Sequence, residues 1–367
     1  MEVVMSKFSK KSIILLVIAG VALVFGIVLL IIGLSRPKDD WDNQRKQELN
    51  TRKIESELDE IAKNLNFEIH RYDIDLFTLD QKNLAEGVRQ LSQKYPSFLI
   101  EPDVWKDPQM MQGLKGYLND KYMKDLYREV NKQFGDMSDI HDQLKGGLVH
   151  YLYYFPEAKV PEFYTILEGV DMSEGSPRYC YSIEDTIVLM PDWYLGAHNK
   201  LYELYRVDKY LRAKCEKRYM AIDCFRELIS ERHLPQRTAI TLLDRMIDAG
   251  KALYFTEMMF PDAPAADVIG YDDKQMAWAK VNQANVWNYM MEKEMVFSKN
   301  EDVARRMVGI SPETKPFKGS PGRMGAYIGW MIVINYMQNN PKITLPELMA
   351  EKDSRKILDQ SGYKPLK

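Results

Sequence analysis

The sequence predicts an α+β protein, a mainly helical soluble domain with a small sheet, preceded by one N-terminal transmembrane helix. Three observations carry this. Ile13 to Leu34 holds no charged or strongly polar side chain. Two short runs, Glu162–Leu167 and Asp185–Met190, combine β-branched and apolar residues and sit among Gly169, Gly175, Ser176-Pro177 and Gly196, which are turn chemistry. After Gly196 the apolar residues recur almost entirely at helical spacing. The chain divides accordingly into a short tail (1–11), a membrane anchor (12–34), a charged connector (35–66) and a globular domain (67–367).

As a helix, the apolar run is about 33 Å long, enough to cross the hydrocarbon of a bilayer. It exceeds the ~7–15 apolar residues of a cleaved signal peptide, and Ser35-Arg36-Pro37 is a poor cleavage site, so an uncleaved anchor is expected. Lys7, Lys10 and Lys11 precede it and Arg36, Lys38, Arg45 and Lys46 follow. These flanks do not decide the orientation.

Beyond the connector, Phe67–Asp73 reads as a short strand. Helical patterns follow over Leu79–Tyr95, Asp107–Phe134 and Ser138–Tyr154. Later helix starts carry their own chemistry. Thr344-Leu-Pro-Glu347 is a capping box, and Asp272 or Asp273 suits the cap of the helix bearing Trp278, Asn285 and Trp287. Ser320-Pro321 pairs a capping hydroxyl with a proline at the first helical position. Met324–Met337 is uncharged but too short to span a bilayer, so it predicts a buried helix. Gly322, Gly325 and Gly329, near one face of it, predict close backbone approach.

Composition narrows the function. Fifty Lys plus Arg against fifty-three Asp plus Glu give a net charge of −3, which leaves no basic excess to follow a nucleic-acid backbone. The three cysteines (Cys180, Cys215, Cys224) lack CxxC spacing, so neither a zinc ribbon nor a disulfide scaffold is expected. No two of His70, His141, His150, His198 and His233 are four residues apart, which excludes an HExxH helix; each reads as a surface or hydrogen-bonded core histidine. Asp136, Ser138, Asp139 and Asp142 lack the glycine and glutamate of a calcium loop and fit a helix N-terminus. No nucleophile elbow, Walker loop or dinucleotide fingerprint is present. No cofactor is expected. Asp244 and Asp248, at i and i+4, are weak metal candidates. Paired carboxylates can hold a divalent ion, yet Arg237, Arg245 and Lys251 nearby suit a mixed-charge helix face equally well.

An ordered series of motifs then accumulates. It runs from Tyr154-Phe-Pro156 and Trp193-Tyr-Leu-Gly196 to Leu242–Phe255 (with Asp244, Asp248, Lys251 and Tyr254) and Pro261-Asp262. Ile269-Gly-Tyr271, Gln275-Met-Ala-Trp278 and Asn285-Val-Trp287 with Glu292 come next. Ser320-Pro-Gly-Arg323, Gly329-Trp330, Tyr336-Met337 and Tyr363-Lys-Pro365 complete it. The series resembles the gliding-motility-associated GldB lipoprotein family of Bacteroidetes from about Phe67 to the C-terminus.

The resemblance implies a non-catalytic cell-envelope protein tied to gliding or type IX secretion, with partners in that machinery. It also implies an inner-membrane anchor, the N-terminus inside and the domain in the periplasm. Leu34 stands where family members carry the lipidated cysteine, so the uncleaved helix is expected to do the anchoring. A distant likeness to metallopeptidase scaffolds would set Asp244-Arg-Met-Ile-Asp248 in the place of HExxH. The arginine there stays charged and cannot act as a general base. The alternative is a membrane-anchored metal-dependent hydrolase. Lys251, Tyr254, Trp278, Asn285, Trp287, Arg323 and Trp330 are the motif residues expected to line a binding groove.

Overall fold

The computed structural model describes residues 55–365 except 97, 99–102, 171–178 and 236–239. The expected tail and anchor lie outside these residues. Among the described residues no helix is long and apolar enough to cross a membrane. The compact unit begins at Glu55 rather than Phe67, because the end of the expected connector forms helix α1 (Glu55–Asn64), which packs on α6.

Strand β1 (Ile69–His70) is followed by α2 (Tyr72–Phe77), α3 (Leu84–Lys94), α4 (Pro108–Asn119), α5 (Lys121–Phe134) and α6 (Ser138–Tyr154). Strands β2 (Glu162–Thr165), β3 (Cys180–Ile183) and β4 (Thr186–Leu189) come next. The remainder is helical: α7 (Lys200–Leu204), α8 (Lys209–Arg212), α9 (Met220–Arg232), α10 (Leu242–Met259), α11 (Ala265–Ile269), α12 (Asp273–Glu292), α13 (Glu301–Val308), α14 (Met324–Asn339), α15 (Leu345–Ala350) and α16 (Ser354–Ser361). The α+β class holds.

The sheet has the order β1-β2-β4-β3, with β1, β2 and β4 parallel and β3 antiparallel to β4. All four residues of β4 are buried, as a central strand covered on both faces requires. Strand β3, at the edge, is only half-buried, and its short Cys-Tyr-Ser-Ile run gave no apolar signal. The expected strand at Phe67–Asp73 shrinks to two residues because Tyr72 and Asp73 already begin α2.

The single helix expected over Asp107–Phe134 is two. Asp120 takes an extended ψ of 132° and caps α5, its carboxylate accepting from the Met123 amide at 3.0 Å. Asp107 caps α4 in the same way ahead of Pro108. The Leu79–Tyr95 pattern yields α3 from Leu84; Leu79 packs from the preceding turn. The boxes at Asp272/Gln275 and Thr344/Glu347 form as the sequence predicts. Ser320-Pro321 does not start a helix. The Ser320 hydroxyl instead bridges the Thr314 amide and carbonyl within the preceding loop, and α14 begins after Arg323.

Helices α10 and α14 form the most extensive helix–helix interface of the domain. Gly322, Gly325 and Gly329 are all held against backbone: a Cβ on them would lie 2.0, 2.9 and 1.8 Å from the carbonyl oxygens of Ser311, Met307 and Met246. A Cβ on Gly250 would lie 2.3 Å from the Gly329 carbonyl carbon. The two helices therefore touch main chain to main chain. Only glycine permits that approach. Helix α14 is buried on nearly every side as far as Tyr336, which explains its charge-free, mostly apolar sequence.

Candidate functional site

Helix α10 carries the two carboxylates singled out by the sequence. Its first turn is closed by a capping box: Asp244 Oδ2 accepts from the Thr241 amide at 2.8 Å and from its hydroxyl at 2.7 Å. An anion there also faces the positive end of the helix dipole. Asp248 is half-buried one turn later. Arg245 turns away to Glu301, at 2.6 Å. Among the described residues no group of three or more histidine, cysteine, aspartate or glutamate side chains is placed to hold a metal ion.

Further along α10, Lys251 is fully buried. Its ammonium donates to the Met349 carbonyl at 3.4 Å and to the Glu351 carbonyl, acceptors at the C-terminal end of α15. A cation at a helix C-terminus is favourable, and this one ties α15 onto α10. Trp330 is also fully buried, and its indole N–H donates to Glu257 at 2.9 Å. Lys251 and Trp330 are thus fully buried side chains that hold one element to another.

The other motif residues are dispersed. Tyr254 is half-buried on α10. On α12, Asn285 is exposed, while Trp278 and Trp287 are half-buried. Trp287 meets Tyr363 edge-on at 5.5 Å. Arg323 precedes α14 with φ +63° and donates to the Ile269 carbonyl at 3.2 Å.

The aromatic run at His150–Phe155 also packs inward. The Tyr151 hydroxyl meets His233 Nε2 at 2.9 Å, and Phe155 and Phe255 lie 4.3 and 5.9 Å from that imidazole. Burial pulls His233 down to about 4, so it is a neutral, hydrogen-bonded core histidine. His141 stacks on Phe67 at 4.4 Å. The thiols are no better placed for attack. Cys180 is raised by hydrogen bonding with Cys224 and then by burial, and Cys215 is raised to about 12 by burial, so both stay protonated.

One polar constellation escaped the sequence reading. It lies where the parallel strands end, the usual location of ligand crevices in open α/β sheets. Asp73, just past β1, is buried; it is gripped through two oxygens by Arg71, each bond 2.8 Å, and accepts the Thr165 hydroxyl at the end of β2. Past β4, Asp192 is fully buried, with Oδ2 on the Gly169 amide at 2.9 Å and Oδ1 without a partner among the described residues.

Tyr117 and Tyr122 hold the same turn by their hydroxyls, to the Leu167 carbonyl and from the Val170 amide. Above them opens a pocket of about 540 Å³ with Glu168 at its rim. Burial, with Glu168 and Asp73 adding to it, pushes Asp192 up to about 7 despite the Gly169 bond. It can therefore hold or release a proton near neutrality. Pro191-Asp192-Trp193 following an apolar strand was the available signal.

Neither a curated protein nor a solved structure matches the chain, a metallopeptidase-type scaffold included. The family described as gliding motility protein GldB matches residues 51–365, a span that takes in every described residue. The chain belongs to the GldB gliding motility protein family.

Proposed function

We propose that this chain is a non-catalytic, membrane-anchored protein of the cell envelope that works through protein partners in gliding or type IX secretion machinery. Family membership supports the association with gliding. The charge-free stretch 13–34 supports a single-pass membrane anchor, and the envelope association of the family supports a domain in the periplasm held at the inner membrane.

The observation that carries the non-catalytic reading is what the motif side chains do. Asp244 closes a capping box, Lys251 holds the end of α15, Glu257 accepts from Trp330, and Arg323 takes a helix-end carbonyl. Each of these bonds serves packing. A peptidase would need a metal-bound or base-activated water in their place. The test is crosslinking in intact cells followed by purification from membranes, with metal analysis of the same sample. The expected result is a membrane-bound chain with envelope proteins attached and without stoichiometric metal. A chain released free of the membrane would defeat the reading, and so would stoichiometric zinc accompanied by peptide cleavage that stops on chelation.

A further inference from the structure

The C-terminal turn of α11 gathers three cations from three separate elements. Arg226, on α9, donates Nη2 to the Val268 carbonyl. Arg323 donates Nη1 to the Ile269 carbonyl at 3.2 Å. Lys214 reaches the next residue, its Nζ lying 3.7 Å from the Cβ position of Gly270. Consecutive backbone positions thus draw three positive head groups to one place.

The opposing charge is small. Asp223 pairs with Arg226 at 2.6 Å, and its other oxygen accepts the Tyr194 hydroxyl at 3.0 Å. Asp267, on the same turn, is taken by Arg218 and Tyr219. The carbonyl end of a long helix is equivalent to only about half a negative charge, and α11 is a single turn. Three cations against one carboxylate and a fraction of a charge leave an excess above one.

Donor capacity is also left over. The Lys214 ammonium donates to no described residue, Arg226 Nε is buried without a partner, and Arg323 uses one of its five N–H groups. All three side chains are half-buried, so the place is sheltered yet reachable. Burial and the neighbouring Arg323 and Arg226 draw the Lys214 ammonium down to about 7. That is the mark of a charge lacking its counter-ion.

We propose that Lys214, Arg226 and Arg323 form a binding site for a phosphate group, with the α11 C-terminal turn as the frame that aims them. A phosphate dianion matches the charge excess, and its oxygens can take the guanidinium and ammonium donors that the fold leaves over. This site is independent of the anchor and of any envelope partner. The group could be free phosphate or the headgroup of a phospholipid.

The test uses the full chain in neutral detergent, titrated with inorganic phosphate at constant ionic strength and followed by calorimetry. A parallel arm uses glycerophosphoglycerol, a soluble phospholipid headgroup. The expected result is saturable one-to-one binding of at least one probe, weakened tenfold or more by Lys214→Gln, retained by Lys214→Arg, and unchanged by the surface control Lys293→Gln. Tighter binding of the first probe identifies a free phosphate ligand; tighter binding of the second identifies a headgroup. Absence of saturable binding to both probes overturns the proposal. Equal binding by wild type and the folded Lys214→Gln variant overturns it as well.

Discussion

The α10–α14 seam and the C-terminal edge of the parallel strands handle polar residues in opposite ways. Around the seam, a buried lysine ties α15 to α10, a buried glutamate ties α10 to α14, and a capping aspartate closes the first turn of α10. At the sheet edge, Asp192 is buried with one oxygen lacking a partner among the described residues, and its carboxyl is pushed toward neutrality. The first arrangement fixes a shape. The second keeps a group that can change its charge. The residues that make the family recognisable sit mostly in the first arrangement, so a motif here reports a packing constraint before it reports chemistry.

The comparison can be broken most forcefully at the seam. Gly329→Ala would set a methyl 1.8 Å from the Met246 carbonyl oxygen. Neither backbone can yield, and the expected outcome is loss of the folded protein, read by circular dichroism and yield.

The sheet edge gives the next effect. The folded pKa of Asp192 lies above its unfolded value. Its stabilising contribution is therefore fully present below about pH 4 and lost as pH rises through about 7. Asp192→Asn mimics the protonated carboxyl. It should be more stable than wild type at pH 8, by up to about 4 kcal/mol, and the two should converge near pH 3. Denaturant melts at both pH values decide it; equal stability at pH 8 would place Asp192 in the ordinary carboxylate range.

Lys251→Met keeps the bulk but leaves the Met349 and Glu351 carbonyls without their donor, at a cost of about 1–3 kcal/mol. Proteolysis should then open the chain first near α15. Thr241→Ala removes the hydroxyl from the α10 cap and should cost about 1 kcal/mol in thermal or denaturant melts. Lys214→Gln removes an ammonium that burial, Arg323 and Arg226 oppose, so the variant should be at least as stable as wild type in denaturant melts at pH 6. A large loss there would assign the lysine to packing.

Much of the fold could be read directly where local chemistry acts alone. The Asp272 and Thr344 boxes, the Ser138–Tyr154 helix and strands β2 and β4 each declare themselves within a few residues. What stayed hidden depends on distant partners. Strand β3 exists because β4 offers it an edge. Ser320 abandons a cap because Thr314 lies across its loop. The sites were less legible still. Asp192 is unusual because the fold buries it and brings Glu168 and Asp73 near, and Lys214, Arg226 and Arg323 meet only through three elements far apart in the chain. Lys251 and Trp330 were visible as motif residues, but their burial follows from α15 and Glu257 closing over them.

The glycine contacts between α10 and α14 have a mechanical consequence. Two rods meeting through bulky side chains can creep past each other as rotamers exchange; two meeting through bare main chain cannot. Sliding by one residue would drive a carbonyl oxygen into an α-carbon, so the joint behaves as a rigid key under shear. Load applied to either helix passes to the other without slack.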